Sequence, residues 1–291
     1  IVEITEIDAD VFSKFDYQFD GTSEFVPPVI HDIPKEYNLG VIYGSSGSGK
    51  STLLEGFGTE EKIQWNDNQS VVSHFDNTDD AIERLSAVGL NSIPTWGKPR
   101  KVLSTGEGFR ADMARKLKDN AVIDEFTSVV NRETAKSCSV ALSKHIKKRD
   151  LKNIVLATCH DDILEWLDPD WVYNTDTREI SRGSLRQPDI HLEILPCSYK
   201  AWSLFSRHHY LSEDINKSSR CWICTWNGIA VGFVSALPQP SGTMKNAWRG
   251  HRTVVLPDFQ GMGIGVRISE AVGEVLLENG CRYFSKTIHP K

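Results

Sequence analysis

The segment that restricts the fold of this chain most is Gly-Ser-Ser-Gly-Ser-Gly-Lys-Ser-Thr, residues 44–52. An apolar run precedes it, and Leu53 and Leu54 follow it. Glycines here let successive N–H groups point at phosphate oxygens, the lysine reaches the β- and γ-phosphates, and the serine hydroxyl can ligate Mg²⁺. A Gly/Ser-rich linker would not place a lysine and two hydroxyls where a helix begins. The segment predicts a nucleotide site formed by Gly44, Ser45, Gly47, Gly49, Lys50, Ser51 and Thr52, with Ser51 also a metal ligand.

Length and composition predict a soluble protein of two domains. The chain has 291 residues, of which 40% are hydrophobic and 25% are charged, a balance typical of packed globular domains. No apolar run approaches the roughly 20 residues of a membrane-spanning helix, and the first residues lack the basic and apolar regions of a signal peptide. We therefore expect a cytoplasmic protein with no membrane partner. Because the first residue is not Met, we expect the native chain to start earlier.

Cysteine and charge patterns give weaker indications. Six scattered cysteines argue against a disulfide framework and agree with a reducing compartment. Cys221 and Cys224 lie in a strand-like run, where residues three apart point to opposite faces, so a structural role is favoured over zinc or redox chemistry.

The net charge is −6, yet residues 186–291 carry twelve Lys and Arg against eight Asp and Glu. This excess permits a DNA or RNA partner, although an ordinary solvated surface is the favoured explanation.

Further along the first half, polar residues follow predicted strands and turns. A β-prone run begins at Gln69, and residues 102–110 form a small-residue turn leading into a helix, whose N-terminus attracts anions. The apolar run at residues 120–126 predicts a buried strand that ends in Asp124 and Glu125. Asp124 can hold Mg²⁺ through water, and Glu125 can accept a proton from the attacking water.

His160 follows the next apolar run, at residues 153–158, which predicts another strand. A lone histidine is usually a surface or capping residue. Its position directly after a buried strand, downstream of the carboxylate pair, favours contact with the γ-phosphate instead.

Taken in order, these motifs resemble those of the ABC-type ATPase family over roughly residues 1–185. The sequence Leu-Ser-Thr-Gly-Glu at residues 103–107 is similar to that family's Leu-Ser-Gly-Gly-Gln signature, with Thr105 and Glu107 as departures. The resemblance implies that Gln69 is the glutamine-loop residue that ligates the metal and that residues 127–133 form the D-loop.

By the same resemblance, Asp124 and Glu125 are the Walker B pair and His160 is the switch histidine. The family implies head-to-tail dimers in which Ser104 and Gly106 of one subunit contact the ATP held by the other. We therefore expect a homodimer that forms in the presence of ATP.

Two features limit the comparison with that family. Only 80 positions separate Gly44 from Asp124, which is short beside transporter subunits and leaves little room for the subdomain that docks on membrane partners. No heptad repeat lies between Thr52 and Ser104, which excludes a long coiled-coil arm like that of chromosome-maintenance ATPases. Transport becomes the less favoured role.

A domain boundary is predicted at residue 186. Residues 171–183 have the pattern of a closing hairpin, and a polar linker ending in proline follows at residues 184–188. Beyond it, apolar runs predict strands on either side of Asn227-Gly228, a tight hairpin turn, and residues 198–207 predict a helix. We expect an ATPase domain at residues 1–186 and an α+β domain at residues 187–291.

The second half contains its own glycine-rich turn, Gln-Gly-Met-Gly-Ile-Gly at residues 260–265, between a predicted strand and a helix that runs to about Glu278. This strand, turn and helix resemble the pyrophosphate-binding segment of GNAT acyltransferases. The resemblance implies that the diphosphate of acetyl-CoA or another acyl-CoA is held by Gln260, Gly261, Gly263 and Gly265, assisted by the helix dipole. Since that family has a further helix and two strands, we expect the chain to continue beyond Lys291.

The catalytic residues of the second half are less marked. Arg-His-His-Tyr at residues 207–210 follows the predicted helix, and this His-Tyr pair resembles the Mom-type DNA-adenine modification proteins of bacteriophages, which have a GNAT-like fold. That resemblance implies catalytic roles for His209 and Tyr210, with capping of a helix end as an equal alternative. Asp258 and His251 flank the predicted strand as candidate bases, with structural roles favoured.

We therefore expect an α/β chain in which a P-loop ABC-type ATPase domain precedes a GNAT-like α+β domain. It would hydrolyse ATP with Mg²⁺ and transfer an acyl group to an amine, with nucleic acid as one candidate acceptor. Two alternatives stay open. One is an assembly module whose partner contacts change when ATP drives dimerisation and whose GNAT fold binds CoA or no ligand. The other is a DNA repair or maintenance ATPase that binds DNA with its second half.

Overall fold

Two five-stranded sheets organise the computed structural model, which describes residues 3–22, 26, 28–183, 185–209, 212–239 and 243–285. The elements of the first part are α1 (Glu6–Lys14), β1 (Leu39–Tyr43), α2 (Lys50–Glu55), α3 (Thr78–Ala87), α4 (Ile93–Trp96), α5 (Thr105–Lys116), β2 (Val122–Ile123), α6 (Arg132–Arg149), β3 (Ile154–Thr158), α7 (Leu164–Leu167), β4 (Trp171–Asn174) and β5 (Glu179–Arg182). Those of the second part are β6 (Leu192–Cys197), β7 (Arg220–Trp226), β8 (Ile229–Pro238), β9 (Ala247–Val255), α8 (Ile264–Glu278) and β10 (Arg282–Phe284). None of the described helices is long and apolar enough to cross a membrane.

The first sheet has the strand order β2-β3-β1-β4-β5, with the first four strands parallel and β5 antiparallel at one edge. Val41 and Ile42 of β1 enter two different apolar clusters, because successive side chains of a strand point to opposite faces and both faces are covered. The carboxyl ends of the parallel strands meet at one edge, where sheets of this kind bind ligands.

The predicted β-run that begins at Gln69 is wrong, because Val71–His74 forms a 3₁₀ helix. Asn66 starts a turn just before it. The Asn66 side chain accepts a hydrogen bond from the N–H of Asn68 (3.0 Å), and its carbonyl accepts one from the N–H of Gln69 (3.0 Å). Such local bonding competes with the pairing of a strand.

The predicted strand at residues 120–126 is shorter than expected, with only Val122–Ile123 in the sheet. The chain leaves the ladder after Ile123, since Glu125 has a left-handed backbone with φ of 48°. The strand predicted at residues 153–158 is confirmed as β3, and the predicted hairpin is confirmed as β4 with β5.

The second sheet has the order β10-β9-β8-β7-β6 and is antiparallel except for β9 and β10, which α8 connects. The predicted turn Asn227-Gly228 is confirmed, since both residues have positive φ (51° and 77°), as a type I′ turn requires. Cys221 and Cys224 lie in different apolar clusters, as predicted for opposite faces of a strand. Burial raises the pKa of both thiols to about 11, so neither is a ready nucleophile.

The helix predicted at residues 198–207 is two 3₁₀ helices, Tyr199–Leu204 and Ser206–His208. A 3₁₀ helix has three residues per turn. Trp202 and Phe205, three apart, therefore share a face and pack on Phe233 of β8, with ring centroids 5.2 and 5.6 Å from it.

The two sheets share packing across the predicted boundary. Val140 of α6 and Trp166 of α7 belong to one apolar cluster with Met262 and other residues of the second half. Cys138 and Leu142, also on α6, belong to the main cluster of the first half. Helix α6 therefore contacts both cores, and the division at residue 186 stays a prediction.

Candidate functional site

The predicted phosphate loop joins β1 to α2. Gly49 caps α2 in a left-handed conformation (φ 88°, ψ 16°), and no side chain of the described residues caps this helix end. The N–H groups of the first turn are thus free of side-chain caps, which is the arrangement that receives anions. Gly47 also has a positive φ (78°), and a Cβ built on it would meet no described atom within 4 Å, so the loop is open on this side.

Lys50 is the first residue of α2 and lies across the loop. Its ammonium donates to the carbonyls of Gly44 (3.0 Å) and Ser45 (2.6 Å). An ammonium has three donor hydrogens, so one remains for a phosphate oxygen. Ser51 and Thr52 follow in the same turn, which brings both hydroxyls to this helix end.

The turn after β4 braces the loop, although no sequence motif marks it. The hydroxyls of Ser48 and Thr175 are 2.6 Å apart, and Asp176 accepts from the N–H (2.9 Å) and the hydroxyl (2.6 Å) of Ser45. These bonds, the hydroxyl one first, lower the pKa of Asp176. A Cβ at Gly44 would lie 2.0 Å from Thr175 Oγ1, so the brace requires glycine there. Only the place of the turn, at the end of a strand next to β1, could have indicated this role.

Asp124, Glu125 and His160 follow two strands that are neighbours in the sheet. The carboxylates come after β2 and the histidine after β3, which lies between β2 and β1. The sheet order therefore brings these residues to the same edge as Lys50. Glu125 is exposed, so its carboxylate is accessible to water. Its backbone N–H donates to Asp124 Oδ1 (2.8 Å).

His160 is positioned by a buried threonine. Its Nδ1 lies 3.0 Å from Thr127 Oγ1, and Thr127 has no exposed surface. Burial, followed by the charge of Arg132, lowers the pKa of His160. The ring is therefore neutral at pH 7, and an anion beside it would favour its protonation.

Gln69 is also predicted to contact the nucleotide and the metal, but unlike Asp124 and His160 it does not follow a strand of the sheet. It is exposed in the turn after Asn66. Within the described ranges, no group of three or more His, Cys, Asp or Glu side chains converges on a metal position. Of the predicted metal ligands, Ser51 and Asp124 follow strands that end at this edge, and one hydroxyl with one carboxylate fits Mg²⁺ held mainly by phosphate oxygens and water.

Ser104 is exposed and caps α5. Glu107 donates its N–H to Ser104 Oγ (3.3 Å), and its carboxylate accepts from the N–H and the hydroxyl of Ser104 (both 3.0 Å) and from Thr95 (2.9 Å). Burial opposes ionisation of Glu107, but these bonds outweigh it and lower the pKa. The departure from glutamine at this position completes a capping box. Gly106 lies in the same turn, and a Cβ on it would be 3.8 Å from Thr134 of α6.

The second glycine turn ends in the same kind of helix cap as the first. Gly263 caps α8 in a left-handed conformation (φ 87°, ψ 4°), again without a side-chain cap. Gly261 has a positive φ of 90°, and Gly265 lies in the first turn of the 15-residue helix. The positive end of this helix is an anion-attracting position.

This turn is packed against the first half of the chain. A Cβ on Gly261 would lie 2.8 Å from Ala141 Cβ and 2.9 Å from Gly89 Cα, so only glycine permits the contact. The Gln260 side chain donates to a carbonyl of β9 (3.0 Å) and accepts from the N–H of Asn91 (3.2 Å). Gln260, predicted to bind the cofactor, therefore uses its side chain to join the two halves.

Arg110 of α5 makes a second link. It is 3% exposed, and its guanidinium donates to the carbonyls of Gly89 (3.0 Å) and Pro257 (2.7 Å) and to Ser137 Oγ (2.7 Å). Burial lowers its pKa. Pro257 starts the 3₁₀ turn that leads into the second glycine turn, so the helix capped by Ser104 is bonded to that segment.

Asp258, a candidate base in the sequence, makes a third link. Its carboxylate accepts from Thr134 Oγ1 (2.8 Å) and Asn131 Nδ2 (3.4 Å) at the start of α6. Asn131 belongs to the predicted D-loop. These bonds fit the structural role that the sequence favours for Asp258.

A lysine of α6 lies at the second turn. Lys144 Nζ donates to the carbonyl of Met262 (3.3 Å) and is 3.9 Å from the position of a Cβ on Gly263. Burial, followed by the charge of Arg267, lowers the pKa of Lys144. Arg267 lies in the first turn of α8, with Glu270 as its ion-pair partner at 3.4 Å. The turn therefore has a cation from each half beside it, although no lysine follows its glycines in the sequence.

His209 follows the second 3₁₀ helix and His251 lies on β9, near enough for the first to influence the pKa of the second. Burial and neighbouring arginines lower the pKa of both, that of His251 to about 4 with a smaller contribution from His209. Both rings are neutral at pH 7 and able to accept a proton. His209 packs against Trp202 (5.5 Å between centroids), while His251 Nε2 accepts from the N–H of Asn216 (3.4 Å). Tyr210, the other predicted catalytic residue, lies outside the described residues.

Comparison with protein families identifies the second half. Residues 187–290 match the model of the acetyltransferase (GNAT) family, so this part of the chain is a GNAT domain, as the sequence predicts. No curated protein matches the chain significantly.

Among solved structures, the chain is similar to ABC cassettes and to an acetyltransferase. The dimeric bacterial ABC transporter cassette MJ0796 is 19% identical with a TM-score of 0.40, covering 54% of this chain and 89% of the cassette. CbiO1 from Clostridium perfringens, part of the ABC transporter complex cbiONQ, is 18% identical with a TM-score of 0.34, covering 47% of this chain and 72% of its own. The aminoglycoside N-acetyltransferase AAC(6′)-Iy in complex with CoA is 18% identical with a TM-score of 0.25, covering 34% and 79%.

Proposed function

We propose that this chain joins an ATP-binding, ABC-type head to an acyltransferase that moves an acyl group from acyl-CoA to an amine. The observation that carries the proposal is the pair of helix ends capped by Gly49 and Gly263, each after a strand of its own sheet and each without a side-chain cap. Two such ends suit two phosphorylated ligands. The GNAT match supports acyl-CoA as the second of them.

In the head, Lys50 and the N–H groups of the first turn of α2 would hold the phosphates of ATP. Ser51 and Asp124 would hold Mg²⁺, which supplies charge neutralisation to the phosphates. Glu125 is exposed at the end of its strand and is the proposed base for water. His160 is the proposed contact of the γ-phosphate.

We also propose that ATP brings two copies together. Ser104 is exposed at the start of α5, and with Gly106 it would contact ATP held by the second copy, as the ABC resemblance implies. Arg110 on the same helix bonds to Pro257, and Thr134 at the start of α6 bonds to Asp258. Dimerisation at the head would thus act on elements that directly support the second glycine turn.

In the GNAT half, the N–H groups at the start of α8 would hold the CoA diphosphate. The amine nitrogen attacks the thioester carbonyl, a C–N bond forms, the C–S bond breaks, and the nitrogen gives up a proton while the CoA thiolate takes one. His209, neutral at pH 7, is the proposed base. Tyr210 is the second proposed catalytic residue, and amines of DNA or RNA are the proposed acceptors.

Release of the CoA thiol tests the transferase directly. The purified full chain is incubated with acetyl-CoA, ATP, Mg²⁺ and in turn with DNA, tRNA and protein, and each polymer is then analysed by mass spectrometry. We expect thiol release with one class of polymer and an added acetyl group on it. Thiol release at the buffer rate with every polymer, together with no binding of acetyl-CoA in a calorimetric titration, would contradict the proposal and favour an assembly module.

A further inference from the structure

An open cleft of about 380 Å³ adjoins the second glycine turn, and its volume falls in the range of small-ligand sites. Lys144 connects the two, because it lines the cleft and also donates to the Met262 carbonyl of the turn (3.3 Å). Five residues that line the cleft precede the predicted boundary, and one follows it. They are Ser143, Lys144, Lys147, Asp168 and Arg186 before the boundary and Gln187 after it.

The cleft is rich in positive charge. Lys147 has Asp168 as its ion-pair partner, whereas Lys144 and Arg186 belong to none of the ion pairs between described residues. Arg267 adds a further cation close to Lys144. Three cations of the lining face one carboxylate, and such an excess in a concave site attracts anions.

Ser143 supplies an unused hydrogen-bonding group in this lining. It is 1% exposed, and its hydroxyl has no hydrogen-bond partner within the described part of the chain. Ser139, one turn earlier on α6, does bond to the carbonyl of Ala135 (2.8 Å), so the helix itself does not prevent such a bond. A buried hydroxyl without a partner costs free energy, and a ligand oxygen in the cleft would remove that cost.

We propose that this cleft binds the 3′-phosphoadenosine end of acyl-CoA, so that the head supplies half of the CoA site of the GNAT domain. The inference rests on the proposed function, which places the CoA diphosphate at the start of α8. In CoA the 3′-phosphorylated nucleoside is joined directly to that diphosphate, so the third phosphate lies within one nucleoside of the turn. Lys144, Arg186 and Ser143 would then bind it.

A calorimetric titration of the full chain tests this with two ligands that differ by one phosphate. Acetyl-CoA should bind about tenfold more tightly than 3′-dephospho-acetyl-CoA, because charge-assisted hydrogen bonds to the third phosphate are lost. In the double variant Lys144→Met and Arg186→Met, the two dissociation constants should differ by less than about twofold. Lys148→Met, an exposed lysine of α6 outside the cleft, should keep the tenfold difference.

Ser143→Ala separates ligand binding from folding. The variant should weaken acetyl-CoA binding about threefold, while the melting temperature of the free protein stays the same or rises, because an unpartnered buried hydroxyl is removed. Equal dissociation constants for the two ligands in the wild-type protein would overturn the inference and leave the transferase proposal intact. No heat with either ligand would overturn both.

Discussion

The two glycine turns have nearly the same backbone and differ in where their lysine comes from. Gly49 and Gly263 cap their helices at φ 88° and 87°, and in each case a lysine donates to a carbonyl of the turn. In the first turn that lysine is Lys50, the next residue. In the second it is Lys144, on a helix of the other half. The first turn therefore has its lysine in its own segment, while the second turn receives its lysine only through the packing of the halves.

The largest expected effect concerns the first site alone. Glu125→Gln should reduce ATP turnover by about 100-fold or more, because a positioned general base contributes that much, and light scattering should show dimers accumulating with ATP. Measured without ATP, acetyl-CoA affinity should stay within about twofold, since no contact joins Glu125 to the second turn in the described residues. Turnover within threefold of the wild type would show that Glu125 is not the base.

Loss of Arg110 should test whether the second turn depends on packing. Arg110→Met leaves the carbonyls of Gly89 and Pro257 without their buried donor and should lower the free energy of unfolding by about 2–3 kcal/mol. Urea unfolding is the measurement. Arg115→Met, on the same helix but bonded to Gln64 within the first half, is the control and should cost less. If both variants lost the same free energy of unfolding, the bonds of Arg110 between the halves would contribute no more than the bond of Arg115 within the first half.

Three glycines with positive φ form a matched series for the same comparison. Gly47→Ala and Gly263→Ala should each cost about 1 kcal/mol of stability from the backbone alone. Gly261→Ala should cost about 2–3 kcal/mol, because its Cβ would also press on Gly89 and Ala141. Thermal unfolding of the three variants measures the differences. If Gly261→Ala lost no more stability than Gly47→Ala, the contact between the halves would be able to accommodate a Cβ without cost.

The smallest effect is a pH dependence of the second half. The pKa of His251 is lowered from 6.5 to about 4 in the folded chain, so the unfolded chain binds more protons between these values, and stability is lost as the pH falls through this window. After allowance for solvent screening, the free energy of unfolding should fall by about 1 kcal/mol. Urea unfolding at pH 7.5 and about pH 4.5 should show it, and His251→Gln should remove it. A wild-type profile that the substitution leaves unchanged would assign the loss to other groups.

The sequence predicted the parts of the fold that local chemistry decides. The Gly/Ser loop before Lys50, the Asn227-Gly228 hairpin and the glycine turn before α8 each carry their geometry in a few adjacent residues. Runs without such chemistry were less predictable. The segment after Gln69 has β-branched residues, but the Asn66 turn takes it out of any sheet.

The contact between the halves could not be predicted, because it depends on residues far apart in the chain. Gly89 lies in the turn after α3 and Gly261 belongs to the second glycine turn, and each has a positive φ that favours glycine. Arg110 lies in a helix whose polar residues suggest a surface, yet it is 3% exposed. Lys144 is exposed on α6, and only the tertiary packing brings its ammonium to the Met262 carbonyl.

The most direct test of this account is a crossed titration of ATP and acetyl-CoA on two single-lysine variants. Lys50→Ala should weaken ATP binding about 100-fold and leave acetyl-CoA binding within about twofold, while Lys144→Met should weaken acetyl-CoA binding about fivefold and leave ATP binding within about twofold. This result would show two phosphate sites, one with its own lysine and one with a lysine from the other half. Acetyl-CoA binding that is unchanged in Lys144→Met, or absent from the wild-type protein, would contradict it.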